Sequence, residues 1–141
     1  QAPGFWAPTG ASWGFDNRTC SLRVVGDSDK SLRVELRPPA ADANPYLVLA
    51  AALASGLQGI REKADPGPAL AGNGYDLRPP ARRRFPQSLA EAADRLRRSA
   101  MAREWFGDAF VEHFATSRMA EVAAQRAHVS DWELNRYFEM I

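Results

Sequence analysis

Cysteine is almost missing from this chain: one thiol, Cys20, in 141 residues. That excludes an internal disulfide and fits a reducing, cytoplasmic compartment. A catalytic thiol is not expected either, because neither His113 nor His128 is near Cys20 in sequence and no thiol motif surrounds it. Long apolar runs are also lacking. The longest, Tyr46 to Leu57, is interrupted by Ser55 and soon followed by Arg61 and Lys63, so it is too short for a membrane span, and no targeting segment is visible. Charge of one sign is lacking as well: Lys+Arg 18 against Asp+Glu 17 gives +1, which offers little drive toward nucleic acid. The cations are nearly all arginine, and the run Arg82-Arg83-Arg84 beside Pro79, Pro80 and Pro86 reads as an exposed loop. The two histidines stand in no metal-ligand spacing, and there are no internal repeats. What is left is the composition of a soluble domain, 45% hydrophobic and 25% charged, long enough for one core.

The pattern along the chain predicts an α+β fold: a short β-hairpin, a buried helix and a C-terminal helical set. Residues 1–12 read as a loop, with strands at Thr19 to Val25 and Ser31 to Arg37 joined by the turn Gly26-Asp27-Ser28-Asp29. Pro38-Pro39 ends the second strand, since proline cannot donate to a ladder. Asn44 before Pro45 predicts a capped helix running to about Lys63, apolar on nearly every face and hence packed against a sheet. A long Pro/Gly/Arg loop spans 65–87. Ser88 with Glu91 and Ser130 with Glu133 have capping-box spacing, Asp108 is placed to cap a helix after Gly107, and Val111, Phe114, Ala115, Met119 and Val122 share a face. In the last helix Leu134, Tyr137 and Phe138 are expected inside.

Chemistry concentrates in the hairpin. Ser31 to Arg37 alternates, so Leu32, Val34 and Leu36 share the face expected in the core while Arg33, Glu35 and Arg37 share the other. With Arg18 and Arg23 this places four arginines around one glutamate. Arg18 and Arg23 are an odd number apart and converge only if Arg18 stands on a loop. A solvated, salt-bridged sheet face is one reading. The other is a phosphate site, in which guanidinium forks neutralise phosphoryl oxygens and a carboxylate holds a divalent metal.

The string Asn17-Arg18-Thr19-Cys20-Ser21-Leu22-Arg23, then Leu32-Arg33-Val34-Glu35-Leu36-Arg37, then Asp42-Ala43-Asn44-Pro45-Tyr46-Leu47 before an alanine-rich helix with Gly56 and Gly59 resembles the C-terminal portion of the glutamine synthetase superfamily. Gly72-Asn73-Gly74-Tyr75-Asp76-Leu77 and Asp131-Trp132-Glu133 resemble it too, and the flavour is closest to the γ-glutamylpolyamine synthetases. The resemblance implies an ATP-dependent γ-glutamyl ligase that joins glutamate to an amine through γ-glutamyl phosphate. It also implies Mg2+ or Mn2+ as cofactor, glutamate, ATP and an amine or ammonia as partners, and a homo-oligomeric full-length enzyme. Since those enzymes are several times longer and this chain begins Gln1-Ala2-Pro3, residues 1–141 read as a C-terminal fragment, inactive by itself.

Carried over by position, the resemblance makes Glu35 a metal ligand and puts Lys30 and Arg33 near the ATP phosphates, with Arg23 as another nucleotide contact. Arg18 is the catalytic arginine bridging glutamate and the transferred phosphate, and Arg37 binds on the glutamate side. Tyr75 corresponds to a tyrosine that some bacterial members adenylylate, although an ordinary loop tyrosine is the better reading. One departure is informative. Ammonia-using members have Gly-Tyr-Glu-Ala-Pro where this chain has Gly4-Phe5-Trp6-Ala7-Pro8. Trp6 cannot take a proton from ammonium, and it suits the alkyl part of a larger amine. Two alternatives stay open: a true glutamine synthetase, and a non-catalytic assembly module of the same fold.

Overall fold

In the computed structural model, which describes residues 6–140, the chain is α+β and forms two compact units, Gln1–Phe85 and Pro86–Ile141. Gly4 and Phe5 of the Trp6 motif lie outside the described residues. In the first unit Trp13–Phe15 (β1) lies parallel to Leu22–Val25 (β2), with Trp13 opposite Leu22 and Phe15 opposite Val24. β2 then pairs antiparallel with Arg33–Leu36 (β3), which sets Arg23 opposite Glu35 and Val24 opposite Val34. The hairpin is as expected, but β1 is an addition, lying between the expected loop of residues 1–12 and the first expected strand. Three residues show no period of their own, and only their pairing with β2 makes them a strand.

The expected burial of the apolar sheet face is not found. Leu32, Val34 and Leu36 are 58%, 61% and 42% exposed, whereas the Arg23 side chain on the opposite face is only 13% exposed. The charged face is covered around Arg23 and Arg37, where ions pair and the carbonyls of Arg18 and Trp6 meet Arg37, while Arg33 stays 59% exposed. The apolar face has no cover among the described residues.

Asn44 caps Pro45–Arg61 (α1), its Oδ1 accepting from the backbone N–H of Tyr46 at 3.0 Å and of Leu47 at 3.3 Å. This is the expected helix, but it is not buried against the sheet. Leu49, Leu53 and Ile60 are 62%, 66% and 76% exposed, and Ala54 is its one buried residue. An apolar pattern specifies that a helix needs a cover, not that the cover lies in the same chain.

The long loop is built onto the first strands and is far from structureless. The Trp13 indole N–H donates to Gly67 O (3.0 Å), Leu70 N–H to Trp13 O (2.9 Å), and Ala11 N–H to Arg83 O (2.7 Å). Two single 3₁₀ turns, Gly74–Asp76 and Ala81–Arg83, punctuate it, and Arg82, Arg83 and Arg84 are exposed.

The second unit is helical: Leu89–Arg98 (α2), Ala100–Phe106 (α3), Asp108–Ala127 (α4) and Asp131–Tyr137 (α5). α4 packs on α2 and α3 through Val111, Ala115 and Val122, with Ala93 and Ala102 buried on the facing helices. Small residues at these positions let the backbones approach closely. Three expectations are corrected. Asp108 caps nothing: Gly107 (φ 81) is the N-cap, and the Asp108 carboxylate instead accepts from Arg103 at 2.7 Å. Among the described residues only α5 has a full capping box; at α2 Glu91 accepts from Gln87 N–H instead. Leu134, Tyr137 and Phe138 are 47%, 54% and 79% exposed.

Carboxylates tie these helices down. The Gln87 backbone N–H lowers the pKa of Glu91, the Arg103 guanidinium that of Glu112, and the Ser130 backbone N–H that of Glu133. A depressed carboxylate stabilises the fold above its ordinary value, 4.5 for all three, and the gain is lost as the pH falls through the native value. Helical circular dichroism is therefore expected to weaken on acidification below that value, with a shallower decline in Glu112→Gln. An acid titration that superimposes on the parent's would remove Glu112 from the account.

Candidate functional site

The site grows from the register of β2 and β3. Arg23 faces Glu35 across the ladder, and its Nη1 donates to Glu35 Oε2 at 3.0 Å. Arg33 Nη2 and Arg37 Nη1 stand 3.6 and 3.7 Å from the same carboxylate. Among the described residues three guanidiniums thus surround Glu35, not the four expected. The other side of Arg23 is taken by Asp16, whose Oδ1 accepts from Nε at 3.1 Å and from Nη2. The two acids hold the Arg23 guanidinium above its ordinary pKa, Asp16 contributing most. Three guanidiniums against two carboxylates leave the cluster net positive, which suits an anion.

Arg37 reaches further. Its Nε donates to Arg18 O at 3.1 Å and its Nη2 to Trp6 O at 2.9 Å. One guanidinium therefore staples the segment carrying Trp6 to the loop carrying Arg18, and Arg18 is on a loop as expected. Trp6 and Arg18 line one open cavity of about 810 Å³, together with Phe15, Asp16, Leu70 and Tyr75 among others.

The cavity's far wall is held by polar side chains of the first strands. Asn17 Nδ2 donates to Gly72 O (2.7 Å) and Leu70 O (3.3 Å), while its Oδ1 accepts from Thr19 Oγ1 at 2.6 Å. Thr19 Oγ1 in turn accepts from Gly74 N–H at 2.7 Å. A Cβ at Gly74 would meet Thr19 O at 2.8 Å, so glycine is required by this close approach. The Tyr75 hydroxyl is buried in this wall.

The remaining expected site residue, Lys30, is exposed in the β2–β3 turn and makes no ion pair among the described residues. Among those residues no group of three or more His, Cys, Asp and Glu could hold a metal ion. Glu35, alone among guanidiniums, does not amount to a divalent-metal site, and it can serve only as one ligand of a set completed from elsewhere. Cys20 is fully buried, and burial pushes its thiol pKa up. Sequence reasoning missed Asp16 and the 70–75 wall. Asp16 gains its place only because β1 exists, and the wall only because Asn17 and Thr19 bind it.

A charged sheet face stapled to an aromatic-lined cavity in an α+β unit defines a net-positive, anion-suited site. The profile of the glutamine synthetase catalytic domain matches residues 2–137, and this chain belongs to that family. It is 46% identical over 136 residues to a glutamate–isopropylamine ligase of a Pseudomonas species, covering 96% of this chain and 30% of the relative. It is 44% identical over 137 residues to a γ-glutamylethanolamide synthetase of Streptomyces coelicolor, covering 97% and 29%. Over 140 residues it is 41% identical to type-1 glutamine synthetase 2 of Dictyostelium discoideum, covering 98% and 27%. Among solved structures, the GmaS/ADP complex superimposes with a TM-score of 0.78 at 32% identity, covering 95% of this chain and 30% of that one. The chain thus spans about three tenths of the length of these relatives.

Proposed function

We propose that this chain is the C-terminal part of the catalytic domain of an ATP-dependent γ-glutamyl ligase that joins glutamate to an alkyl amine. In that reaction a γ-carboxylate oxygen of glutamate attacks the γ-phosphorus of ATP and ADP leaves. The amine, bound as its ammonium, releases one proton to solvent; its nitrogen, now neutral, adds to the acyl carbon and loses a second proton, and inorganic phosphate departs. The need throughout is to bring anions together, which a net-positive guanidinium cluster meets. Arg18 bridges glutamate and the transferred phosphate, Arg23, Lys30 and Arg33 serve the nucleotide, and Arg37 serves the glutamate side while it holds Trp6 and Arg18 in place. Glu35 supplies one ligand to Mg2+ or Mn2+, whose charge would offset that of the phosphates.

The observation that carries the amine reading is Trp6 lining the same cavity as Arg18, on a segment fixed by Arg37. The names of the isopropylamine and ethanolamide relatives support it. A glutamine synthetase at 41% identity supports ammonia as the second reading. The uncovered apolar faces of α1 and α5 support a chain that packs against further protein, in a homo-oligomer of the full-length enzyme.

The test is phosphate release by the full-length protein carrying this chain, with ATP, glutamate and a panel of ammonium, methylamine, isopropylamine, ethanolamine and putrescine. An alkyl amine is expected to exceed ammonium at least roughly tenfold in kcat/KM, the discrimination that one or two buried methylenes supply. Efficient use of ammonium with every amine ignored would replace this reading by glutamine synthesis.

A further inference from the structure

We infer that Asp16 is the anionic anchor for the ammonium group of the amine substrate, with Trp6 and Phe15 walling its alkyl part; this rests on the ligase reading above. Asp16 follows β1 directly, and its backbone N–H donates to Val24 O at 2.9 Å, so its position is set by the sheet. Its φ of 46° is left-handed, a conformation that aspartate and asparagine tolerate better than most residues. It lines the cavity beside Trp6, Phe15 and Arg18.

The two carboxylate oxygens are not equivalent. Oδ1 takes both contacts from Arg23, whereas Oδ2 has no partner among the described residues, and the side chain is 75% exposed. The Arg23 guanidinium, with Arg18 contributing less, holds the carboxyl below its ordinary value of 3.8, so the group is an anion at neutral pH. Arg23 does not cancel that charge outright, because it is shared with Glu35.

Arg18 is the obvious objection, since a guanidinium in the same cavity repels a cation. It is also the reason the site makes sense. A ligase must hold an anionic acyl phosphate next to an incoming amine, and this cavity offers a cation and a carboxylate together, with apolar wall from Trp6, Phe15 and Leu70. An alkylammonium meets both of its needs there, a charged acceptor and an aromatic face. Trp6 leaves the position without a carboxylate, and Asp16 supplies one from the neighbouring strand end.

The experiment is Asp16→Asn in the full-length protein, which keeps size and backbone preference and removes the charge. KM for isopropylamine is expected to rise by roughly ten- to a hundredfold, the scale of one hydrogen bond to a charged group. KM for ATP and for glutamate should stay within about twofold. Calorimetric affinity for isopropylammonium chloride should fall by the same factor as KM rises. An unchanged amine KM overturns the proposal, and so does a parallel rise in all three constants, which is the signature of a loosened Arg23. Should the parent turn over no amine at all, the ligase reading fails separately and calorimetry decides the site. Isopropylammonium binding that is present in the parent and lost in the variant supports Asp16, and binding that is equal or absent in both overturns it.

Discussion

Glu35→Ala in the full-length protein is expected to lower ATP- and glutamate-dependent turnover by roughly a thousandfold, the scale reported when one charge-organising group is removed from a preorganised site. The reason lies in what surrounds the carboxylate. Arg23, Arg33 and Arg37 all stand within 3.7 Å of it. Without it they repel one another, with only Asp16 left to partner Arg23. Arg37 also holds Trp6 and Arg18 by their carbonyls, so its displacement would move both walls of the cavity. Glu35→Gln separates charge from shape. It can still accept a hydrogen bond from a guanidinium, but it is a poor ligand for a hard divalent cation and neutralises nothing. We expect Gln to be as inactive as Ala while remaining folded. Titration calorimetry with Mg2+ then divides the roles. Weaker metal binding in both variants supports a ligand; equal binding with lost activity would leave Glu35 as the organiser of three arginines and nothing more.

What could be read from the sequence was local. Alternation in Ser31 to Arg37 fixed which side chains share a face, and Asn44-Pro45 marked a helix start, because period and cap are properties of a few neighbouring residues. What failed was long-range. β1 exists only by pairing with β2 across the Asn17–Ser21 turn, and Asp16 enters the site only through β1. Burial failed for a related reason: Leu32, Leu53 and Phe138 are apolar in pattern yet 58%, 66% and 79% exposed. Pattern records the need for a partner surface, and in a chain about three tenths the length of its relatives that partner need not be present. The arginine cluster was legible because its members lie on two adjacent strands. Its connection to the Trp6 cavity was not, since Arg37 acts there through two backbone carbonyls that no side-chain motif announces.

Trp6→Glu is expected to erase most of the amine preference. Trp6 has φ 55, its carbonyl is fixed by Arg37 at 2.9 Å, and its side chain lines the cavity. An apolar wall stabilises each buried methylene by about 0.8 kcal/mol, so the three carbons of isopropylamine gain roughly 2.4 kcal/mol, or about sixtyfold, that ammonium cannot. Glutamate at this position withdraws the wall and installs a second carboxylate near Asp16, a pair better suited to a small, strongly hydrated cation. The kcat/KM ratio of isopropylamine to ammonium is therefore expected to fall by at least roughly thirtyfold, from loss with the alkyl amine together with gain for ammonium. The left-handed backbone at this position is no easier for glutamate than for tryptophan, so some general loss of activity will accompany the change. For that reason the ratio, and not either constant alone, is the measurement. A ratio that stays put while both constants fall together would mean that Trp6 shapes the loop without touching the amine.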